Sequence, residues 1–327
     1  MEAGEWRRLS ASPEGALPRP ASQTLALAAA LTAVSLWGLA PVATRYMVLR
    51  VDPLAVLALR FSMSALAFLP VLIHSRLLGW TRADIKAGIT CGLVGIVGYG
   101  LPVTIGQQWT TASLTGLILA SEPLWILLIW AMLARRRPGL STGIGTIIGL
   151  VGVAVLCGGD KTIAGNHGYL GAGLVLLSAV AWSAYCVLIG SLAARRGALP
   201  ATAFTIIAGA IPLLFIGGPS AAETMGALSP FEWVVLAGLA IGGSVFAVLL
   251  WNFSLAKLGA PKAGPFLYLV PLATVIGGVG LLNEAPGLSM LTGGAITLAG
   301  VIIAQGKWAE KLAGRALSRP QRSSRSP

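Results

Sequence analysis

Glu122 stands inside the run LILASEPLWILLIW, directly before Pro123. A charged carboxylate at the centre of a membrane-spanning helix costs about 2.5–3.5 kcal/mol on insertion scales. Such a group must be paired, hydrated by a cavity, or protonated. The chemistry open to it is proton coupling, binding of a cationic group, or a structural ion pair. Arg60 is the one basic residue in the middle of an apolar run and is its natural partner. At about 1.5 Å of rise per residue, Arg60 lies roughly 10 Å and Glu122 roughly 15 Å below the outer face, a difference that a long arginine can bridge. Binding of an anionic group such as a carboxylate is the other use for Arg60. Pro123 and Pro271 each break a helical hydrogen bond, and the freed carbonyls can face a cavity and take a donor. Trp37, Tyr99, Trp182 and Tyr268 lie deep in apolar runs and are the aromatic candidates for its wall. Gln107, Gln108, Trp125, Tyr185, Trp251 and Asn252 are further candidates nearer the ends of their runs, and Trp109, Trp233 and Trp308 read as interface anchors.

Other chemistries find no support. Cys91, Cys157 and Cys186 are scattered through apolar runs with no CxxC pair, so they read as small packing residues. Neither His74 nor His167 has a second ligand at metal spacing. No Walker sequence, nucleophile elbow or HExxH is present, so no catalytic residue, metal or cofactor is assigned. Glu284 falls in a short turn, where capping or loop support competes with a functional role.

The elements that must hold these residues are membrane helices. Of 327 residues, 56% are hydrophobic and 10% charged, against about 25% charged in a soluble domain. A chain so poor in charge needs lipid as its solvent. The net charge of +12 does not point to nucleic acid, because the basic residues lie between apolar runs and at both ends. Ten runs have spanning length: 24–48, 54–73, 86–106, 112–133, 141–158, 168–190, 200–217, 230–252, 263–282 and 288–305. Runs five and seven are the shortest. With the amino end in the cytoplasm, 19 of the 23 Lys and Arg residues fall in inner segments. Three fall outside (Arg45, Arg50 and Lys161) and Arg60 is within a span. That bias predicts ten helices with both termini cytoplasmic. Residues 1–23 read as a flexible tail and 306–327 as a basic tail.

A shift of 148 residues superposes 112–153 on 260–301 without a gap. Pro123 falls on Pro271, and Pro138-Gly139-Leu140-Ser141 on Pro286-Gly287-Leu288-Ser289. Gly116, Gly145 and Gly152 fall on Gly264, Gly293 and Gly300. Trp37 and Trp182 occupy similar places early in spans one and six once a small gap is allowed. The halves are thus 24–158 and 168–305. Five helices is an odd number, so the second half begins on the opposite side of the membrane. The expected fold is all-α, two inverted five-helix repeats, an architecture used by transporters because the two copies can exchange shapes.

Two five-helix units, each with an early Trp, a mid-span Pro-Leu in the fourth helix and a Gly-rich fifth, resemble the EamA family of the drug/metabolite transporter superfamily. Gly264, Pro271, Leu272, Glu284, Gly293, Gly300 and Val301 carry the likeness most clearly, while Arg136 stands where the first half would have the counterpart of Glu284. The resemblance covers about 24–305. It implies a secondary carrier, an exporter or exchanger of amino acids or other small metabolites, working by alternating access in the inner membrane. Protons are a candidate coupling ion, a small molecule and lipid are the partners, and the chain is not an enzyme. An intramembrane lipid-modifying enzyme is one alternative. It would need clustered acids, His or Cys near an interface. A channel or static scaffold is the other, and its flux would be uncoupled and would not saturate.

Overall fold

A computed structural model of the chain describes residues 20–75, 79–133, 140–159, 167–258 and 264–317. The ends of both tails, Arg76, Arg135–Arg137, Pro138, Gly139, Lys161 and Lys262 lie outside the described residues, as do the side chains of Cys157 and Trp308. The described residues are mostly helical, with no strand among them. In chain order the helices are α1 (Pro20–Val48), α2 (Pro53–His74), α3 (82–106), α4 (112–133), α5 (Leu140–Gly159), α6 (Gly168–Arg196), α7 (Ala198–Met225), α8 (230–258), α9 (264–282) and α10 (Leu288–Leu317). Seven are long and apolar enough to cross a membrane; three stretches, Leu140–Leu156, Phe266–Leu282 and Leu288–Ala304, are shorter apolar helices.

Several limits differ from the sequence reading. Helix α1 starts at Pro20, because proline fits the first helical turn, where its missing N–H is not needed. Helix α7, predicted to be short, runs for 28 residues and includes Pro212 and Pro219. Gly217-Gly218-Pro219 reads as a stop signal, yet the close approach of Gly217 to the Leu54 carbonyl of α2 holds this segment in place. Helix α10 continues past the expected end at 305 to Leu317, through a segment rich in the strong helix formers Ala, Leu, Lys and Glu.

Local signals set the other boundaries. Thr81 caps α3 through a reciprocal box with Asp84, and Ser229 caps α8 through the same box with Glu232. These boxes are 148 residues apart. Each helix then widens into π-helix, α3 over Leu93–Val97 and α8 over Gly238–Phe246. Gly197, at φ +89, makes the turn between α6 and α7 that an L side chain would strain. Asn283 ends α9 in the left-handed conformation.

The packing interleaves the two halves. Helix α1 lies on α8 and α9, and α6 lies on α3 and α4. Helix α2 packs along α7, joined by Leu57, Phe61, Ala203, Ile206 and Leu213. Helix α5 packs along α10 so closely that a methyl on Gly300 would come within 2.3 Å of the Gly149 nitrogen. Thr297 Oγ1 donates across this seam to the Gly149 carbonyl at 3.5 Å, again a pair 148 residues apart. Small residues allow such backbone approach in lipid, where contact and hydrogen bonding replace the hydrophobic effect between helices.

Gly300→Val is therefore expected to lower the thermal unfolding temperature in detergent, with overpacking of about 1–3 kcal/mol. Gly143→Ala on the same α5 helix, where a Cβ meets nothing within 4 Å, should leave it unchanged or raise it.

Candidate solute-binding hollow

Helix α4 is discontinuous. Its first part ends at Leu119, Ala120 and Ser121 form a turn, and a new helix starts at Glu122 with Pro123 as its second residue. Proline favours this break because it has no N–H for the Leu119 carbonyl. Helix α9 changes at the matching register, from 3-10 over Gly264–Tyr268 to α at Leu269, two residues before Pro271. Local bonds steady the α4 break. Ser121 Oγ donates to the Ile118 carbonyl at 2.7 Å, Trp125 Nε1 donates to Ser121 Oγ at 3.1 Å, and Ser183 Oγ of α6 donates to the Glu122 carbonyl at 3.0 Å.

Around this break the structure gathers four of the sequence-predicted residues. Tyr99 of α3 lies within electrostatic reach of both Glu122 and Arg60. Its ring meets Trp182 of α6 at 5.2 Å, and Trp182 meets Tyr185 at 4.9 Å. Glu122, Arg60, Tyr99 and Trp182 are enclosed by neighbouring helices yet keep part of their accessible surface, as groups lining an internal hollow do. The expected Glu122–Arg60 ion pair is not made. Among the described residues the Glu122 carboxylate has no hydrogen-bond or ion-pair partner. Arg60 Nε is buried without one, and its guanidinium lies 5.1 Å from the Phe61 ring centroid. The geometry thus presents an acid and a guanidinium without partners among the described residues, and a phenol within electrostatic reach of both, beside aromatic rings.

Other candidates sit apart from this group. Trp37 Nε1 donates to the Gly243 carbonyl at 3.0 Å, within the π-helical part of α8, and its ring meets Trp251 at 5.6 Å. Tyr268 packs with Leu124, Val301 and Ala304. Gln107 is wholly buried and donates to the Pro41 carbonyl at 2.8 Å, so it braces α1 rather than facing the hollow. Sequence reasoning passed over Ser183, and it treated Cys186 as packing although that thiol lies within reach of the Glu122 charge. Glu284 resolves as a cap supplied from the other half. Its carboxylate accepts from Ala112 N at 2.6 Å, Ser113 N at 2.9 Å and Ser113 Oγ at 2.6 Å, at the start of α4. Arg45 is close enough to feel its charge and donates to the Gln107 carbonyl. The signal was the capping preference of an acid for a helix N-terminus, but the sequence does not say which helix receives it.

Seven long apolar helices, with charged groups enclosed among α2, α3, α4 and α6, define a multi-pass membrane protein. The profile of the EamA-like transporter family matches residues 24–158 and 169–305. The chain belongs to that family. It is 27% identical over 270 residues to an uncharacterized transporter of Archaeoglobus fulgidus, covering 83% of this chain and 95% of that protein. It is 26% identical over 304 residues to the uncharacterized inner membrane transporter YedA of Escherichia coli K12, covering 88% and 93%. A probable terminal-alkyne amino-acid exporter of Streptantibioticus cattleyicolor is 26% identical over 227 residues, covering 67% and 73%. A solved crystal structure shares the fold at a TM-score of 0.56 and 22% identity, covering 87% of this chain and 98% of the other.

Glu284→Ala removes three acceptor contacts from the start of α4. It is expected to reduce stability by about 1 kcal/mol, as loss of a cap does, seen as a lower unfolding temperature of the purified protein. Glu284→Gln should lose less, since its amide oxygen can still accept.

Proposed function

We propose that the chain is a secondary carrier of the inner membrane that moves a small polar metabolite, an amino acid or similar zwitterion, by alternating access. The observation that carries this reading is the unpaired Glu122 carboxylate at a helix break and the unpaired Arg60 guanidinium, both within electrostatic reach of Tyr99. A buried charge without a partner is expensive, and a fold that leaves two of opposite sign unsatisfied is suited to a solute carrying both signs. Its ammonium group would meet Glu122 and its carboxylate Arg60, with Tyr99 and Trp182 against its apolar part. Bidentate binding favours Arg at the carboxylate end.

The reading takes ten spans, both termini in the cytoplasm, and two halves of opposite orientation. The matched capping boxes, the matched π segments and the meeting of Gly149 with Thr297 support it, because a twofold axis in the membrane plane brings equivalent residues face to face. The exporter named in Streptantibioticus cattleyicolor and the inner membrane protein of Escherichia coli favour export from the cytoplasm. Glu122 also serves as the proton site: a carboxyl in a hollow opening to each solution in turn can load a proton on one side and release it on the other.

In proteoliposomes preloaded with a mixture of amino acids, the wild-type protein is expected to show saturable efflux and counter-exchange, accelerated by an inward proton gradient. Glu122→Gln should abolish the acceleration, and Arg60→Ala should abolish flux of carboxylate-bearing solutes. Gradient-driven flux unchanged in Glu122→Gln would remove the coupling role.

A further inference from the structure

The halves differ where their equivalence is closest. Thr81 and Asp84 match Ser229 and Glu232 at the 148-residue shift, and both pairs form capping boxes. Arg195 at the end of α6 matches Arg50 after α1 at the 145-residue shift that also relates Trp182 to Trp37. Each half therefore carries an acid in the first turn of its third helix and an arginine at or just past the end of its first helix.

The first acid is fully engaged. Asp84 is buried, with Arg195 Nε at 2.9 Å from Oδ1 and Arg196 Nη2 at 2.6 Å from Oδ2. Arg196 Nε adds a contact at 2.9 Å. These bonds tie α3 to α6. The second acid is not so engaged. Glu232 accepts only from its own cap, Ser229 N and Oγ, both at 2.8 Å. Arg50 is held one ring away: its guanidinium lies 3.9 Å from the Tyr46 ring centroid, and Nη1 donates to the Tyr46 carbonyl at 3.0 Å. The Tyr46 ring meets Phe231, the neighbour of Glu232, edge-on at 5.5 Å. Arg50 feels the Glu232 charge without reaching it.

We infer that Asp84 with Arg195 and Arg196, and Glu232 with Arg50, are two alternating ionic latches, of which this structure shows the first shut and the second open. The inference rests on the inverted-repeat reading above, which puts the first latch on the cytoplasmic face and the second on the outer face. Two copies that exchange shapes must exchange this contact too, and the shut latch on the cytoplasmic face belongs to an outward-facing form. Tyr46 already holds Arg50 beside the start of α8, so closing the second latch needs only a small movement. Arg195 and Arg196 are themselves partly exposed, so water can solvate their guanidinium groups when the first latch opens.

The test reads cross-linking without any solute. In a background with Cys91, Cys157 and Cys186 replaced by serine, thiols are placed at exposed positions beside each latch: Ile85 with Ala194, and Leu49 with Val234. A bifunctional maleimide should join the first pair in the parent protein and join the second poorly. Arg195→Gln with Arg196→Gln, which leaves the Thr81–Asp84 capping box whole, should lower the first yield and raise the second severalfold. Adding Arg50→Gln should cancel that rise. If the double variant does not fold, Arg195→Gln alone should shift both yields in the same directions. A fall in the first yield with no rise in the second, at an unchanged unfolding temperature, would overturn the latch, as would a rise that survives Arg50→Gln. Reciprocal yields in a protein that moves no solute would sink the carrier reading and leave the latch standing.

Discussion

An acid and a guanidinium without partners cannot face lipid chains, and much of the architecture around Glu122 follows from that constraint. Hydrocarbon offers no hydrogen bonds, so irregular backbone and charge survive at depth only where protein encloses them. The turn at Ala120–Ser121 is tolerable because Ser121, Trp125 and Ser183 bind the groups around it. Tyr99 stands where both charges reach it, and Trp182 and Tyr185 close the aromatic side. What is left is a candidate hollow bordered by charged groups without partners among the described residues, a condition a bound solute would relieve.

That hollow is not the property of either half alone. Helix α6, the first of the second half, supplies Trp182 and Ser183 to a site whose acid comes from α4 and whose arginine comes from α2. The same exchange runs the other way, with Trp37 of α1 bonded into the π-helical part of α8. Glu284 of one half caps the helix that carries the break in the other. The two halves are thereby joined through side chains that touch. The glycine seam between α5 and α10 joins them as well. Its backbone approach at Gly145, Gly149 and Gly152 leaves no room for an added methyl, so these two helices pack as one unit.

Much of this was legible in the residues. The apolar runs gave the helices because lipid imposes length and hydrophobicity on each span. Glu122 and Pro123 stood out because charge and a missing N–H are costly in that setting. The repeat was visible at Pro123/Pro271 and in the PGLS runs, but its reach back to Thr81 and Ser229 needed capping boxes that two short patterns announce only once their helices are known. Whether Glu122 pairs with Arg60 was not legible, because depth along two helices does not fix which faces meet. Asp84 was passed over since an acid in the first turn of a helix is ordinary; the arginines that engage it lie 111 and 112 residues away, a distance no local pattern spans. Helix α7 exceeded its expected length because Gly-Pro punctuation yields to tertiary contact.

The proposed solute pathway, the proposed coupling and the latches all rest on the two halves being opposed in orientation. Leu49 and Ala194 are equivalent by the 145-residue shift, both exposed, and beside Arg50 and Arg195. Single thiols placed there, in the background lacking the native cysteines, can be challenged with a membrane-impermeant maleimide in sealed right-side-out vesicles. The account predicts labelling at position 49 and protection at 194 until the vesicles are opened. Labelling of both from the same side would contradict it.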